Sequence, residues 1–294
     1  MLSIKSVMER ITAIDVIESR FGKINSSLDL VLDNYDAEDI HHFRVETKKL
    51  KAFLHMLALG LNDAHSFKLP AEIRRFYKAI GIVRSLQLQH DKFKKIAAET
   101  DDHLPSQYMS ELDTEEKANI AKAKKLIKSK EPFRKEKEHL ISVLMKGGDE
   151  IKVNLFLKSA VRSLKRHLIS EHLTDETLHA VRKILKDILY TQPFIEVKIN
   201  TTLPSIFSDQ ANLKLVSTLL GDFQDIYTGS KLLQEYSTDG LPEPELIFLK
   251  NVEKEWKEEK KEIRKRIMDQ LKATGSIPDI HWQKKSDDSV IKPT

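Results

Sequence analysis

Two copies of one short pattern place a histidine, an arginine and a lysine at helical spacing. They are His41-x-x-Arg44-x-x-x-Lys48 and His179-x-x-Arg182-x-x-x-Lys186. Side chains three and four residues apart share one face of a helix, so each copy predicts a cationic stripe. Like charges at this spacing repel by about 0.2–0.5 kcal/mol per pair. A bound anion would offset that repulsion, and we therefore interpret both stripes as anion-facing surfaces.

Both stripes extend beyond the repeated triplet. Lys51 and His55 continue the first stripe, and Lys183 and Tyr190 continue the second. Apolar residues fill the adjoining arc of each helix, so the cations would lie beside the buried face rather than opposite it. Most basic helix faces are simply solvated, but two stripes in matching register favour an anion-binding surface. Further basic candidates at helical spacing are Arg74, Lys78, Arg84, Lys158, Arg162, Lys165 and Arg166.

Helix caps and glycines repeat together with the stripes. Asp36 and Thr174 are predicted N-caps, each five residues before its histidine. Gly81 and Gly221 lie on a later helix of each half. A glycine inside a helix costs about 1 kcal/mol of stability relative to alanine. Close packing against a neighbour is one expected reason for a glycine at these positions. The separation between the copies is 138 residues for the histidines and 140 for the glycines. This agreement predicts an internal duplication with a helical bundle in each half.

The composition favours helices. Of 294 residues, 40% are hydrophobic, whereas only nine are glycine and nine are proline, which allows a sizeable core with few turns. We therefore predict an all-α fold with halves at 1–147 and 148–272 and a flexible polar tail at 273–294. The predicted helices span about 3–34, 37–60, 71–99, 106–130, 133–146, 150–170, 175–191, 207–236 and 244–272.

Several functional classes are disfavoured by what the sequence lacks. There is no cysteine, and hence no disulfide, thiolate metal site or thiol nucleophile. No secretory signal and no apolar run of about 20 residues occurs, so we expect a cytoplasmic protein with no membrane partner. The net charge is +4, from 49 basic and 45 acidic residues. A basic binding site must therefore be local.

The sequence resembles the CHAD domain family, the conserved histidine α-helical domain. The matching stretches are IHHFRVETKKLKAFLHML and LHAVRKILKDILY, supported by AIGIVRSLQ and LGDFQDI, one of each pair in each half. The resemblance spans about residues 25–236, and we extend it through the following helix. It implies two bundles of about four helices each, related by a pseudo-two-fold axis, with basic residues lining a central groove or pore.

The family resemblance also implies a function, which is non-catalytic binding of inorganic polyphosphate without a cofactor. Polyphosphate-metabolising enzymes are implied as further partners, and association with polyphosphate granules is expected. No triphosphate-tunnel domain is recognisable, so we interpret the chain as a stand-alone module. Carried over by position, the binding residues would be His41, Arg44, Lys48, Lys51, Arg84, His179, Arg182, Lys183, Lys186 and Tyr190.

The chain departs from the family pattern at two positions. Ser85 stands where the first glycine motif usually carries an aspartate, although Asp225 is present in the second motif. Leu189 occupies a position where a further arginine is common. These changes would reshape or weaken the site but leave both stripes largely intact.

Three alternatives stay open beside polyphosphate binding. No H-E-x-x-H, phosphate-binding loop or nucleophile-elbow motif occurs, so we predict no enzyme and no cofactor. The first alternative is a metal ion shared by His41 and His179. Nucleic acid is a less favoured partner, because Tyr190 is the one stacking ring on the stripes and single-strand binders use several. A helical scaffold for an acidic protein is the third alternative.

Overall fold

The computed structural model describes residues 7–100, 103–128, 132–147, 150–168, 173–195 and 210–273. Within these ranges the chain is 83% helical and forms nine α-helices. Their bounds are α1 Arg10–Asn34, α2 Ala37–Gly60, α3 Ala71–Thr100, α4 Ser106–Lys124, α5 Arg134–Lys146, α6 Asn154–Leu168, α7 Asp175–Thr191, α8 Gln210–Gln234 and α9 Glu243–Ala273. The predicted all-α class is confirmed.

The largest departures from the predicted helices involve one small strand pair. Met8–Glu9 (β1) pairs antiparallel with Glu150–Ile151 (β2), where continuous helices had been predicted. As a result α1 begins at Arg10 and α6 at Asn154. Gly60 makes room for this pair, because a Cβ there would lie 2.7 Å from the Ile151 side chain. Periodicity within one segment could not reveal a pairing between segments so far apart. Helix α4 also ends at Lys124, earlier than predicted.

The apolar arcs of the helices pack into one contiguous core that includes residues of both halves. Helices α1 and α2, α3 and α4, and α8 and α9 form extensive neighbouring pairs, and α2 also packs against α7. Phe93 of α3 illustrates the packing, since its ring centroid lies 4.9 Å from Tyr108 of α4 and 5.7 Å from Trp256 of α9. Aromatic packing of this kind joins α3, which carries Arg84, to α4 and α9.

Helix α9 is anchored to the start of α7 by charged side chains. Lys260 and Arg264 donate hydrogen bonds to the two carboxylate oxygens of Asp175, at 2.6 and 2.8 Å. Arg264 also donates to the backbone carbonyl of Leu173. Part of the charged run at 254–266 thus pairs with α7. No helix in the described residues has the length and apolar character needed to cross a membrane.

Candidate anion-binding cavity

Helices α2 and α7 begin at the caps predicted from the sequence. The Asp36 carboxylate accepts a hydrogen bond from the Glu38 amide at 2.8 Å. The Thr174 hydroxyl accepts one from the Thr177 amide at 3.2 Å. Each cap satisfies an otherwise unpaired amide in the first helical turn. The two caps thereby begin the helices at equivalent positions, and within each helix the histidine, arginine and lysine share one face because of their spacing.

Four helices from the two halves, α2, α3, α7 and α8, line a cavity of about 540 Å³. We call it the interhelical cavity. The predicted residues that line it are His41, Arg44, Lys48, Lys51, Arg84, His179, Arg182, Lys183, Lys186 and Tyr190. The structure thus brings side chains of both repeated motifs to one place.

The other predicted site residues lie outside the interhelical cavity. His55 forms a 3.7 Å ion-pair contact with Asp187, and its ring packs edge-on against Phe156 with centroids 5.5 Å apart. His55 is exposed. The remaining six residues are exposed too, namely Arg74 and Lys78 on α3 and Lys158, Arg162, Lys165 and Arg166 on α6. A role for these seven residues in anion binding stays a prediction.

Arg44 is held in place by α3. Its Nη1 donates a 2.9 Å hydrogen bond to the Tyr77 carbonyl, and its guanidinium lies 4.3 Å from the centroid of the Tyr77 ring. Gly81 makes this possible, because a Cβ at that position would overlap Nη1 and would lie 3.2 Å from Cζ. The expectation that Gly81 allows close packing at the site is confirmed, and its partner is a side chain of α2.

The second half lacks this arrangement. A Cβ on Gly221 would meet no atom within 4 Å, so that glycine makes no comparable room for an arginine. Arg182, the counterpart of Arg44, has a buried Nε without a hydrogen-bond partner among the described residues. A buried donor of this kind costs about 1–3 kcal/mol unless a ligand or water satisfies it. Arg182 thus differs from Arg44, because its Nε lacks the kind of acceptor that the Tyr77 carbonyl provides for Arg44.

Most cations of the interhelical cavity have no carboxylate partner. Within the described ranges, none of the following side chains forms an ion pair: Lys48, Lys51, Arg84, Arg182, Lys183 and Lys186. Nearby basic residues behave differently, since Arg20 and Lys49 both contact Glu46, at 2.9 and 2.5 Å. Unpaired cations gathered in a partly desolvated space repel one another and create a demand for an anion.

Burial, together with neighbouring positive charge, lowers several pKa values in the interhelical cavity. Burial is the largest cause of the fall in the pKa of Lys48 to about 8, and Arg44, Arg182 and Lys186 lower it further. Burial likewise lowers the pKa of Lys186, with Arg182 adding to the effect. The pKa of His41 falls through burial too, assisted by Arg84 and Lys48 and opposed by Glu38. An entering anion would reverse these shifts by favouring the protonated forms.

A polar chain on the second-half side fixes the orientation of His179. Nδ1 of His179 and Oε1 of Gln224 are 2.5 Å apart, while Nε2 of Gln224 donates to the Thr228 hydroxyl at 3.2 Å. Since the Gln224 carbonyl oxygen is the acceptor in this chain, Nδ1 of His179 carries the proton and Nε2 is left for another partner.

Sequence reasoning missed several residues that line the interhelical cavity. Helical spacing could have found them, because Gln224 and Thr228 follow Gly221 on one face of α8, and Lys92 follows Arg84 on α3. They drew no attention because they are outside the repeated cationic triplet. The missed residues are Thr47, Leu69, Tyr77, Leu88, Gln89, Lys92, Asp187, Gln224, Thr228 and Gly229.

The two positions that depart from the family pattern have clear surroundings. Ser85 lines the cavity, and its hydroxyl donates to the Gly81 carbonyl at 3.0 Å. Asp225 also lines the cavity and favours the charged forms of Lys48 and Lys92. Leu189 packs against the core. Across the described ranges, no group of three or more histidine, aspartate or glutamate side chains is arranged to hold a metal ion.

Comparison with known proteins gives one family and one fold. The model of the CHAD domain matches residues 15–234. A solved structure, PptA from Streptomyces chartreusis, superposes with a TM-score of 0.64 at 12% sequence identity, covering 90% of this chain and 99% of its own. At that identity the likeness concerns the fold alone. No curated protein matches the sequence.

Proposed function

Because the chain belongs to the CHAD domain family, we propose that its interhelical cavity binds inorganic polyphosphate and catalyses no reaction. The observation that carries the proposal is the set of cations that both halves contribute to one cavity and that form no ion pair among the described residues. Polyphosphate is a flexible chain with about one negative charge per phosphate. A track of arginine forks and lysine ammonium groups can follow such a chain without reading any other feature.

The dimensions suit several phosphates. From His41 to Lys51 the stripe on α2 spans about 15 Å at 1.5 Å per residue, and α7 presents a second stripe across the cavity. Arg182 has a buried Nε without a partner among the described residues, and a phosphate oxygen that reached it would satisfy this donor. Lys48 would regain full protonation beside the polymer, since an anion opposes the cations that lower its pKa.

We propose in addition that the two halves are bundles related by a pseudo-two-fold axis through this site. The support is that each cavity helix contacts its own counterpart, α2 with α7 and α3 with α8. The matching N-caps of α2 and α7 support the same relation. In a symmetric site of this kind, the two halves would present similar surfaces to the polyphosphate chain. The chain could bind either surface, because its repeating units are alike.

Isothermal titration calorimetry of the protein with polyphosphate of about 100 units tests the proposed binding. We expect affinity to fall steeply between 50 and 300 mM salt, by analogy with the slope of about −0.7 to −0.9 per neutralised phosphate known for nucleic acids. The double variant Arg182→Gln, Lys186→Gln should bind much more weakly, whereas Lys94→Gln on the exposed surface of α3 should bind like the parent protein. Affinity that did not change with salt would contradict the electrostatic basis of the proposal.

Competition separates polyphosphate from other partners. Long polyphosphate should displace RNA and DNA at equal phosphate concentration and physiological salt. If nucleic acid displaced polyphosphate instead, the assignment would be refuted.

The further partners we propose, polyphosphate-metabolising enzymes, should be captured by the protein only when polyphosphate is present. Association with polyphosphate granules should likewise be lost in the Arg182→Gln, Lys186→Gln variant, as observed by fluorescence microscopy.

A further inference from the structure

The interhelical cavity contains apolar and aromatic surface that a linear polyphosphate cannot use. Leu69, Leu88, Tyr77 and Tyr190 line it together with the cations. Polyphosphate has no carbon atoms, so burying these side chains against it yields no hydrophobic stabilisation. A ligand that joins an anionic chain to a flat apolar group would use both parts of the lining.

The two tyrosines stand in different situations. The Tyr77 ring already supports the Arg44 guanidinium at 4.3 Å. Tyr190 is half-buried, and its hydroxyl forms no hydrogen bond to any described residue. Burial raises the pKa of Tyr190. Arg182 lies close enough to oppose that rise, and Tyr77 lies close enough to add to it. Tyr190 is therefore an aromatic ring beside the cations on which, among the described residues, no other aromatic ring and no cation stacks.

Helix geometry connects this ring to the cations. Tyr190 lies four residues after Lys186 and eight after Arg182, which places all three on one face of α7. Lys48 of α2 is close enough to Arg182 and Lys186 that both lower its pKa. A phosphate chain held by these cations would thus leave any group at its end within reach of Tyr190.

From this geometry we infer that the interhelical cavity also binds nucleoside triphosphates, with the phosphates on Lys48, Arg182 and Lys186 and the base against the Tyr190 ring. The inference rests on the proposed anion-binding role of the same cavity. A cavity of about 540 Å³ falls within the range of about 300–1,000 Å³ that holds small molecules. Every base has a π-face, so little selectivity among bases is expected.

Comparison of ATP with tripolyphosphate tests the inference on the unmodified protein. Both contain three phosphates, and tripolyphosphate carries at least as much negative charge, so electrostatics alone would favour tripolyphosphate. We expect calorimetry in EDTA-containing buffer at fixed ionic strength to show ATP binding on the order of tenfold more tightly, as base stacking on an aromatic ring would provide. Equal or weaker binding of ATP would overturn the inference.

Two substitutions at one position separate the ring from its hydroxyl. Tyr190→Ala should weaken ATP binding about tenfold more than it weakens tripolyphosphate binding, whereas Tyr190→Phe should keep the ATP preference. If both variants weakened ATP and tripolyphosphate equally, Tyr190 would be a phosphate-binding hydroxyl and the inference would be wrong. Circular dichroism confirms that each variant is folded.

Long polyphosphate, titrated in parallel, distinguishes this inference from the proposed function. If long polyphosphate binds and ATP shows no advantage over tripolyphosphate, only the nucleotide inference fails. If ATP binds through Tyr190 and long polyphosphate does not bind, the proposed function fails while the nucleotide site stands.

Discussion

Replacing Gly81 by alanine tests how the interhelical cavity positions its arginine, and Gly221→Ala supplies a matched control. Both glycines lie within long helices, α3 and α8. At position 81 the new methyl group would overlap the Arg44 guanidinium, while at position 221 it would meet nothing within 4 Å. Because Nη1 is the far end of a flexible side chain, Arg44 can swing aside, and the fold should survive the substitution.

The magnitude follows from the interactions that Arg44 would lose. Each alanine gains about 1 kcal/mol of helix propensity. At position 81 this gain is opposed by loss of a charged hydrogen bond, about 1.5–3 kcal/mol, and of the cation–π contact, about 0.5–1 kcal/mol. Gly81→Ala should therefore be destabilised by about 1–3 kcal/mol, whereas Gly221→Ala should be stabilised by up to about 1 kcal/mol.

Urea denaturation followed by far-UV circular dichroism measures the free energy of unfolding of both variants. Calorimetric titration with polyphosphate measures the second consequence, since a displaced Arg44 changes the charge arrangement of the cavity. We expect weaker binding for Gly81→Ala and unchanged binding for Gly221→Ala. If Gly81→Ala were stabilised as much as Gly221→Ala and bound polyphosphate equally well, Arg44 would not be held by Tyr77 and Gly81 in the way described.

Three further predictions concern protonation and the attachment of α9. The pKa of Lys48 is lowered to about 8 in the free protein, and a bound polyanion raises it, so polyphosphate affinity should fall by up to about tenfold per pH unit above pH 8. Lys48→Arg should flatten that decline in calorimetric titrations. The pKa of His41 is also lowered in the free protein, and binding raises it, so affinity should increase as the pH falls below neutral. His41→Gln should reduce that increase, and no change would contradict the assignment. Asp175→Asn should destabilise the protein by about 1–3 kcal/mol in urea denaturation, because Lys260 and Arg264 lose their charged acceptor. The exposed variant Asp91→Asn is the control, and equal stability of the two variants would show that this anchor contributes nothing.

The features predictable from the sequence are those that depend on neighbouring residues. The N-caps at Asp36 and Thr174 and the course of α2 and α7 follow from capping chemistry and 3.6-residue periodicity, and the structure confirms them. The meeting of the two basic stripes in one cavity could be predicted only from the sequence repeat, because a repeat implies equivalent positions in two similar halves. Local patterns do not encode which segments pair in space, so the strand pair formed by Met8–Glu9 with Glu150–Ile151 was missed.

Side-chain partnerships across helices were equally out of reach of sequence patterns. Nothing in the spacing of α2 indicates that Arg44 binds the Tyr77 carbonyl of α3, or that His179 of α7 contacts Gln224 of α8 at 2.5 Å. These contacts depend on the distance and rotation between packed helices, which many side chains determine together. The resemblance between the halves suggests that their arginines are equivalent, and only the contacts reveal the difference.

The different contacts of Arg44 and Arg182 bear on how the proposed site would bind polyphosphate. If both arginines were fixed on neighbouring backbone, as Arg44 is on Tyr77, the cavity would be rigid but would offer few free donors. If neither were fixed, mutual repulsion among the cations would push them outward into solvent. One held guanidinium provides a stable positive field, whereas the Nε of Arg182 is buried and has no partner among the described residues, so in the proposed function a phosphate oxygen would supply the missing acceptor. If the proposed function is correct, the two copies of the motif contribute differently, with Arg44 setting the local charge and Arg182 contacting the ligand.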